Sequence, residues 1–171
     1  PVSMTRAAEA ICAENRATIV LTKLTAAHLM EVAASPGVTF AGDQTGGFLW
    51  PEFLPAYDAA ATLVKLVSML AASGQSLSKL VNDLAPVHVA HATAPTPWEY
   101  KGHVMRSLVE RLADRELVLI DGVKVPEPDG WALIVPDPEE PSTHVWAEGP
   151  SEAAAAARAQ HYVAMVGTLM V

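Results

Sequence analysis

The sequence predicts an α/β unit followed by an α+β domain, the second built on an antiparallel four-stranded sheet with two helices on one face. Three observations carry this. Before residue 86 a strand-helix-strand pattern leads into two further helices. After Pro86 the pattern restarts as strand, helix, strand, strand, helix. Residues 121–149 read as two strands with period-two alternation: Trp131, Leu133 and Val135 share one face, and Val145 and Ala147 oppose His144 and Trp146.

In chain order, residues 5–14 form a short helix, with Ala8, Ile11 and Cys12 at helical spacing. The β-branched run Thr18-Ile19-Val20-Leu21 is an expected strand. Thr25 caps a helix to residue 34, which Pro36-Gly37 ends. Residues 38–41 form the next strand, so residues 18–41 read as a parallel pair with a crossover helix. Residues 57–73 are the longest helix, with a broad apolar face (Ala60, Leu63, Val64, Val67, Leu70, Ala71) and a thin polar one at Lys65 and Ser68. Such a helix is expected to be covered on most sides. Gly74 stops it, and Ser76 caps another helix to residue 84. The domains are therefore 1–85 and 86–171.

The second domain opens with a strand at 87–93 and a break at Ala94-Pro95-Thr96-Pro97-Trp98. A helix at 101–114 turns Val104, Met105, Leu108, Val109 and Leu112 inward, with Arg106 and Glu110 paired one turn apart. A strand at 117–120 and an Asp121-Gly122 turn precede the hairpin. Ser151 caps an alanine-rich helix ending near Val166, and residues 167–171 are expected to fray.

Composition excludes several functions. The chain has 171 residues, 51% of them hydrophobic, and a formal charge of −8 with 11 scattered Lys and Arg. Nucleic acid is an unsuitable partner, since phosphate neutralisation needs clustered cations. No apolar run suits a membrane span, and no signal peptide is evident. Cys12 is the single cysteine, so no disulfide framework exists. A cytoplasmic protein is expected, and a start other than Met fits a piece of a longer chain.

The chemistry-bearing motifs are few. His88 and His91, three apart in a strand, face opposite sides, so no metal site is expected. No nucleophile elbow or phosphate-cradling glycine loop occurs, so no catalytic residue is assigned. The hairpin loop consists of Pro136, Asp137, Pro138, Glu139, Glu140 and Pro141, stiffened by its prolines. Neither Lys nor Arg occurs between Lys124 and Arg158, which makes this loop a poor place for a phosphate. Glu139 and Glu140 diverge in an extended loop, which is unsuited to paired acid/base work. The turn at 42–47 offers Asp43, Thr45 and Gly46, a carboxylate, a hydroxyl and a permissive backbone that suit sugar hydroxyls, with Glu52 nearby in sequence. A plain β-turn has the same composition.

Together these loops resemble the last part of the α-D-phosphohexomutase (phosphomannomutase/phosphoglucomutase) superfamily, whose domain three carries a sugar loop G-G-E-x-S-G-H and domain four a phosphate loop R-P-S-G-T-E-P. Asp121-Gly122-Val123-Lys124-Val125, Gly130-Trp131-Ala132-Leu133-Ile134-Val135 and Val145-Trp146-Ala147-Glu148-Gly149 reproduce the frame around the phosphate loop. The resemblance covers nearly the whole chain, most strongly from Gly42 onward. It implies a partial domain-three unit followed by a domain-four sheet of the TBP-like type. The span from Leu29 to Gly42 is shorter than the family's domain three allows, which implies that part of that domain is trimmed.

The departures carry the functional expectation. At the phosphate loop the family's Arg is Val135, its Ser is Asp137, its Gly is Pro138 and its Thr is Glu139, while Pro136, Glu140 and Pro141 match. A dianion site has lost a cation, two hydroxyls and a backbone N–H, and has gained two carboxylates. The sugar loop keeps a carboxylate at Asp43 and a hydroxyl at Thr45, but its His is Gly47. The resemblance further implies that phosphoserine and Mg2+ belong to domains outside these residues, so no cofactor is expected here. A loop of this P-D-P-E-E-P type looks like those of mannose-1-phosphate guanylyltransferase-like fusions. The leading expectation is a non-catalytic module for recognising a hexose or hexose phosphate, or for holding an upstream catalytic domain or a homo-oligomer together. The alternatives are an active mutase fragment that holds phosphate by Lys101 or Arg106, and an assembly domain using exposed Trp98 and Trp146.

Overall fold

The computed structural model describes residues 1–170. The chain divides into two compact units, Pro1–Pro86 and Val87 onward.

In the first unit, Thr5 accepts the Ala7 N–H at 3.2 Å and starts α1 (Arg6–Glu14), and Thr25 accepts that of His28 to start α2 (Ala26–Ala33). Three short strands follow, β1 (Ala41–Gly42), β2 (Phe48–Trp50) and β3 (Leu54–Tyr57), as an antiparallel meander. Asp58 caps α3 (Ala59–Ser73) through the Ala61 N–H at 2.8 Å, Gly74 ends it in the left-handed region, and Ser76 caps α4 (Leu77–Asn82). Leu29, Ala33 and Leu49 form a small core.

Three expectations for this unit are corrected. Residues 18–21 belong to no strand: Val20 is 60% exposed, and extended backbone becomes a strand only where a neighbour takes its hydrogen bonds. The crossover unit is therefore absent, and Ala41 instead pairs antiparallel with Leu49 across the 43–47 turn. Residues 57–58 are not helical, because Tyr57 pairs with Leu49 and Asp58 caps the helix. Nor is α3 covered: Leu63, Val64, Val67 and Met69 are each more than half exposed.

In the second unit, β4 (His88–Pro95), α5 (Trp98–Arg111), β5 (Val123–Glu127), β6 (Gly130–Pro136), β7 (Ser142–Gly149) and α6 (Glu152–Thr168) build a four-stranded antiparallel sheet of order β4-β7-β6-β5. Register places Ala90, Ala92, Val145, Ala147, Ala132, Ile134, Val123 and Val125 on one face. There they meet Val104 and Leu108 of α5 and Ala159, Tyr162 and Val166 of α6. Each fully buried Val, Leu or Ile side chain contributes roughly 1.5–3 kcal/mol. The opposite face carries His91, Thr93, His144, Trp146 and Leu133. Arg115 is tied to Glu127 at 2.9 Å and donates to the Tyr162 hydroxyl at 3.1 Å, linking β5 to α6. Tyr162 in turn donates to Glu127 at 3.0 Å.

The expected strand at 117–120 is reduced to one isolated bridge, Val118 with Lys124. Its place is taken by β5, where Pro126 is tolerated because β5 is a sheet edge. The α5 helix begins at Trp98, three residues earlier than expected, since Pro97 suits the position before the first turn. At the other end, α6 extends through Gly167 to Thr168, whose hydroxyl accepts from Arg111 at 3.1 Å, while Leu169 and Met170 pack on the core. Val171 lies outside the described residues. Among the described residues, no helix is long and apolar enough to cross a membrane.

Candidate functional site

The β6–β7 hairpin positions the 136–141 loop. Pro136 still pairs with Thr143, and the Asp137 N–H donates to the Ser142 carbonyl at 3.0 Å, closing the loop at its base. Beyond that point the loop is organised by one carboxylate. Oδ1 of Asp137 accepts the backbone N–H groups of Glu139 (2.7 Å) and Glu140 (2.8 Å). Oδ2 accepts from Nε2 of His144 at 2.6 Å. The His144 contact, followed by the two backbone donors, holds the Asp137 carboxyl down at about 2. Glu139 and Glu140 are exposed.

Lys101, on the first turns of α5, supplies the loop's cation. Its Nζ donates to the carbonyl oxygens of Asp137 and Glu140 and rests 3.6 Å from the Trp98 ring centre. Two of the three ammonium N–H groups are thus engaged by loop carbonyls. Arg106 lies elsewhere, beside Met105, Val109 and Leu119. Trp98 is 54% exposed, as expected, whereas Trp146 is half-buried beneath two imidazoles.

Those imidazoles belong to His91 and His144. Nε2 of His91 lies 2.9 Å from Nδ1 of His144, and the His91 ring stacks on Trp146 at 4.9 Å. Burial, then the neighbouring His144, pushes the His91 pKa down. With His88 three residues along β4, on the other side of the sheet, local spacing offers His91 no partner. Its true neighbour lies 53 residues away, brought close by the β4–β7 register, which pairs His91 with Trp146 and Thr93 with His144.

The 43–47 turn joins β1 to β2 and follows the same design. Oδ1 of Asp43 accepts from the Thr45 N–H (2.8 Å), the Thr45 hydroxyl (2.5 Å) and the Gly47 N–H (3.3 Å). Oδ2 accepts the Tyr57 hydroxyl at 2.6 Å. Burial raises the Asp43 pKa, but these donors outweigh it and hold the net value below the ordinary one. Burial, then Asp43, lifts the Tyr57 phenol to about 12. Gly46 adopts φ 91°, which favours glycine, and a side chain at Gly47 would strike the Tyr57 ring. Glu52 is not brought to this turn. It lines a separate cavity of about 530 Å³ with Trp50, Phe53, Val64 and Lys65, to which Asp43, Thr45 and Gly46 contribute nothing.

Residues 1–88 match the family described as phosphoglucomutase/phosphomannomutase, alpha/beta/alpha domain III. The chain belongs to that family. Among its relatives, a probable phosphoglucosamine mutase of Methanopyrus kandleri is 30% identical over 136 residues, covering 78% of this chain and 30% of that protein. A phosphoglucomutase/phosphomannomutase of Thermococcus kodakarensis is 28% identical over 145 residues, 83% of this chain and 31% of that one. A crystal structure of a phosphoglucomutase/phosphomannomutase family protein from Burkholderia thailandensis superposes with a TM-score of 0.75 at 22% identity, over 96% of this chain and 35% of that chain. That likeness is one of fold and extends across both units. The chain spans about a third of the length of these relatives.

Proposed function

We propose that this phosphohexomutase-family chain is a non-catalytic C-terminal module of a cytoplasmic protein of sugar-phosphate and nucleotide-sugar metabolism, and that its phosphate loop serves structure. One observation carries the reading. The loop's own Asp137 carboxylate occupies the Glu139 and Glu140 N–H donors, and Lys101 is committed to loop carbonyls. A phosphate arriving there meets carboxylates in place of free donors. The resemblance of the Pro136–Pro141 loop to those of mannose-1-phosphate guanylyltransferase-like fusions supports a parent protein of the GDP-mannose type, with catalysis and Mg2+ in residues outside this chain.

Within that role, assembly is favoured over sugar capture. The Asp43 carboxylate is engaged by four donors, whereas Leu63, Val64, Val67 and Met69 of α3 present apolar surface suited to another part of the parent protein. An NMR titration with mannose 1-phosphate, glucose 1-phosphate, free mannose and inorganic phosphate tests both points. Silence of residues 136–141 towards phosphate and of residues 43–47 towards mannose is the expected result. Saturable shifts at 136–141 with phosphate restore the mutase reading, and saturable shifts at 43–47 with mannose restore sugar recognition.

A further inference from the structure

The helix-free face of the second unit's sheet carries an arrangement that neither loop's family role explains. Nε2 of His91 and Nδ1 of His144 face each other at 2.9 Å, on neighbouring strands β4 and β7. His91 is exposed, so the pair is open to solvent on one side, and Trp146 floors it, stacked on His91 at 4.9 Å and 5.1 Å from His144. The outer nitrogen of His144, Nε2, is held by the Asp137 carboxylate at 2.6 Å. Because an ionised carboxylate only accepts, Nε2 of neutral His144 carries the proton and Nδ1 carries the lone pair, aimed at His91. This carboxylate–imidazole support is how proteins orient a metal-ligating histidine and raise its basicity.

We propose that His91 Nε2 and His144 Nδ1 form a two-imidazole site for a divalent transition cation of the copper, nickel or zinc class. Asp137 is the positioning residue behind His144. Two nitrogens each about 2.0 Å from a metal lie about 2.8 Å apart at a right angle, and about 3.3 Å apart at a tetrahedral angle. The observed 2.9 Å matches the first arrangement in nitrogen separation, and binding requires both rings to turn so that their lone pairs converge on one ion. Water completes the coordination shell. On binding, His91 moves its proton from Nε2 to Nδ1 of the same ring and His144 keeps its proton on Nε2, so two lone pairs meet the metal and no proton is lost. No group of three or more His, Cys, Asp or Glu side chains that could hold a metal occurs among the described residues. The site therefore takes exchangeable cations of high imidazole affinity and rejects Mg2+ and Ca2+, which require oxygen ligands. A bound ion would join β4 to β7 and, through Asp137, brace the 136–141 loop. The site stands whether or not that loop binds phosphate.

Calorimetric titration of the 171-residue chain with Cu2+, Zn2+ and Mg2+ above neutral pH tests this. Zn2+-induced shifts of the histidine ring resonances and Cu2+ quenching of tryptophan fluorescence supply independent readouts. The expected result is one saturable ion per chain for Cu2+ and Zn2+ and none for Mg2+, with the ring shifts confined to His91 and His144. His91→Ala and His144→Ala abolish it, and His88→Ala, across the sheet from His91, leaves it unchanged. Asp137→Asn weakens it by roughly 10–100-fold while keeping two ligands. His91→Gln, which retains size and polarity, is the second variant should His91→Ala disturb the strand. Ring shifts at other histidines, or binding unaltered in both His91 variants, overturn the proposal, as does the absence of saturable binding at millimolar Zn2+.

Discussion

His144 donates its Nε2–H to Oδ2 of Asp137 at 2.6 Å, across the mouth of the β6–β7 hairpin. With the Glu139 and Glu140 amides on the other oxygen, this makes Asp137 the anion around which the loop is wound. The Asp137 carboxyl, ordinarily at 3.8, is held at about 2 by these donors. A depressed carboxyl contributes stability that is present above its unfolded value and is lost as pH falls through its folded value. The Asp137 contribution should therefore be complete above about pH 4, and the loop should open as pH falls through about 2. An NMR pH titration of the Asp137 carboxyl and the Glu139 and Glu140 amides should give one shared midpoint near 2. A midpoint near 3.8 would show that the amide and imidazole contacts do not persist in solution.

If the loop excludes phosphate because Asp137 has taken its donors, restoring the family's residues should reopen it. The combined variant Val135→Arg, Asp137→Ser, Pro138→Gly and Glu139→Thr removes two carboxylates, returns a cation and two hydroxyls, and frees backbone N–H groups. Saturable phosphate-induced shifts at residues 136–141 are expected in that variant and not in the natural sequence. Binding equal in both would mean that the substitutions do not govern the loop.

How much of this was legible in the sequence follows from how local each signal is. The helix caps at Thr25, Ser76 and Ser151 were readable, because a cap is settled within three or four residues. The β6–β7 hairpin was readable from alternation. The run at 18–21 misled because β-branched residues favour extension and do not by themselves supply a partner strand. Pro126 hid β5, since only sheet order shows that its missing N–H falls on an edge. At the two loops, composition identified Asp43 and Asp137 but not their engagement. The Tyr57–Asp43 and His91–His144 contacts bridge 14 and 53 residues and depend on register.

Asp43 leaves a measurable mark on Tyr57. The phenol is lifted from 10.0 to about 12 by burial and by its bond to Asp43. A raised phenol pKa stabilises the fold fully below the unfolded value, and this contribution is lost as pH rises through about 12. Tyr162 is likewise lifted to about 12, by burial and then by Glu127. Ultraviolet titration should therefore find two tyrosines ionising near 12, and Tyr57→Phe should remove one of them. Asp43→Asn should bring Tyr57 back towards 10.0. A Tyr57 midpoint unchanged by Asp43→Asn would refute the contact.

Thr143 is fully buried, opposite Pro136 at the base of the β6–β7 hairpin, and its Oγ1 has no hydrogen-bond partner. A buried hydroxyl left unpaired costs about 1–3 kcal/mol, and an apolar group of similar shape removes that cost. Thr143→Val should accordingly stabilise the chain by about 1 kcal/mol. Chemical denaturation should show a higher midpoint with the same slope. A lower midpoint would show that the hydroxyl is satisfied in solution.

Gly122 turns the chain from the Val118 bridge into β5 with φ 67°, in the region that favours glycine. A Cβ there would strike the Ile134 carbonyl and lie 2.7 Å from Cγ2 of Val135. Neither obstacle is a flexible side-chain end, because Ile134 O belongs to the β6 backbone and Val135 leads into the loop. Relief must come from moving β5 away from β6, which strains the Val123–Ile134 pairing. Gly122→Ala should therefore destabilise the second unit by roughly 1–3 kcal/mol from backbone strain, with steric displacement added. Hydrogen exchange should quicken at Val123 and Val125 before it does in β4 and β7. Protection lost evenly across the sheet would place the effect on global stability and remove the turn from this role.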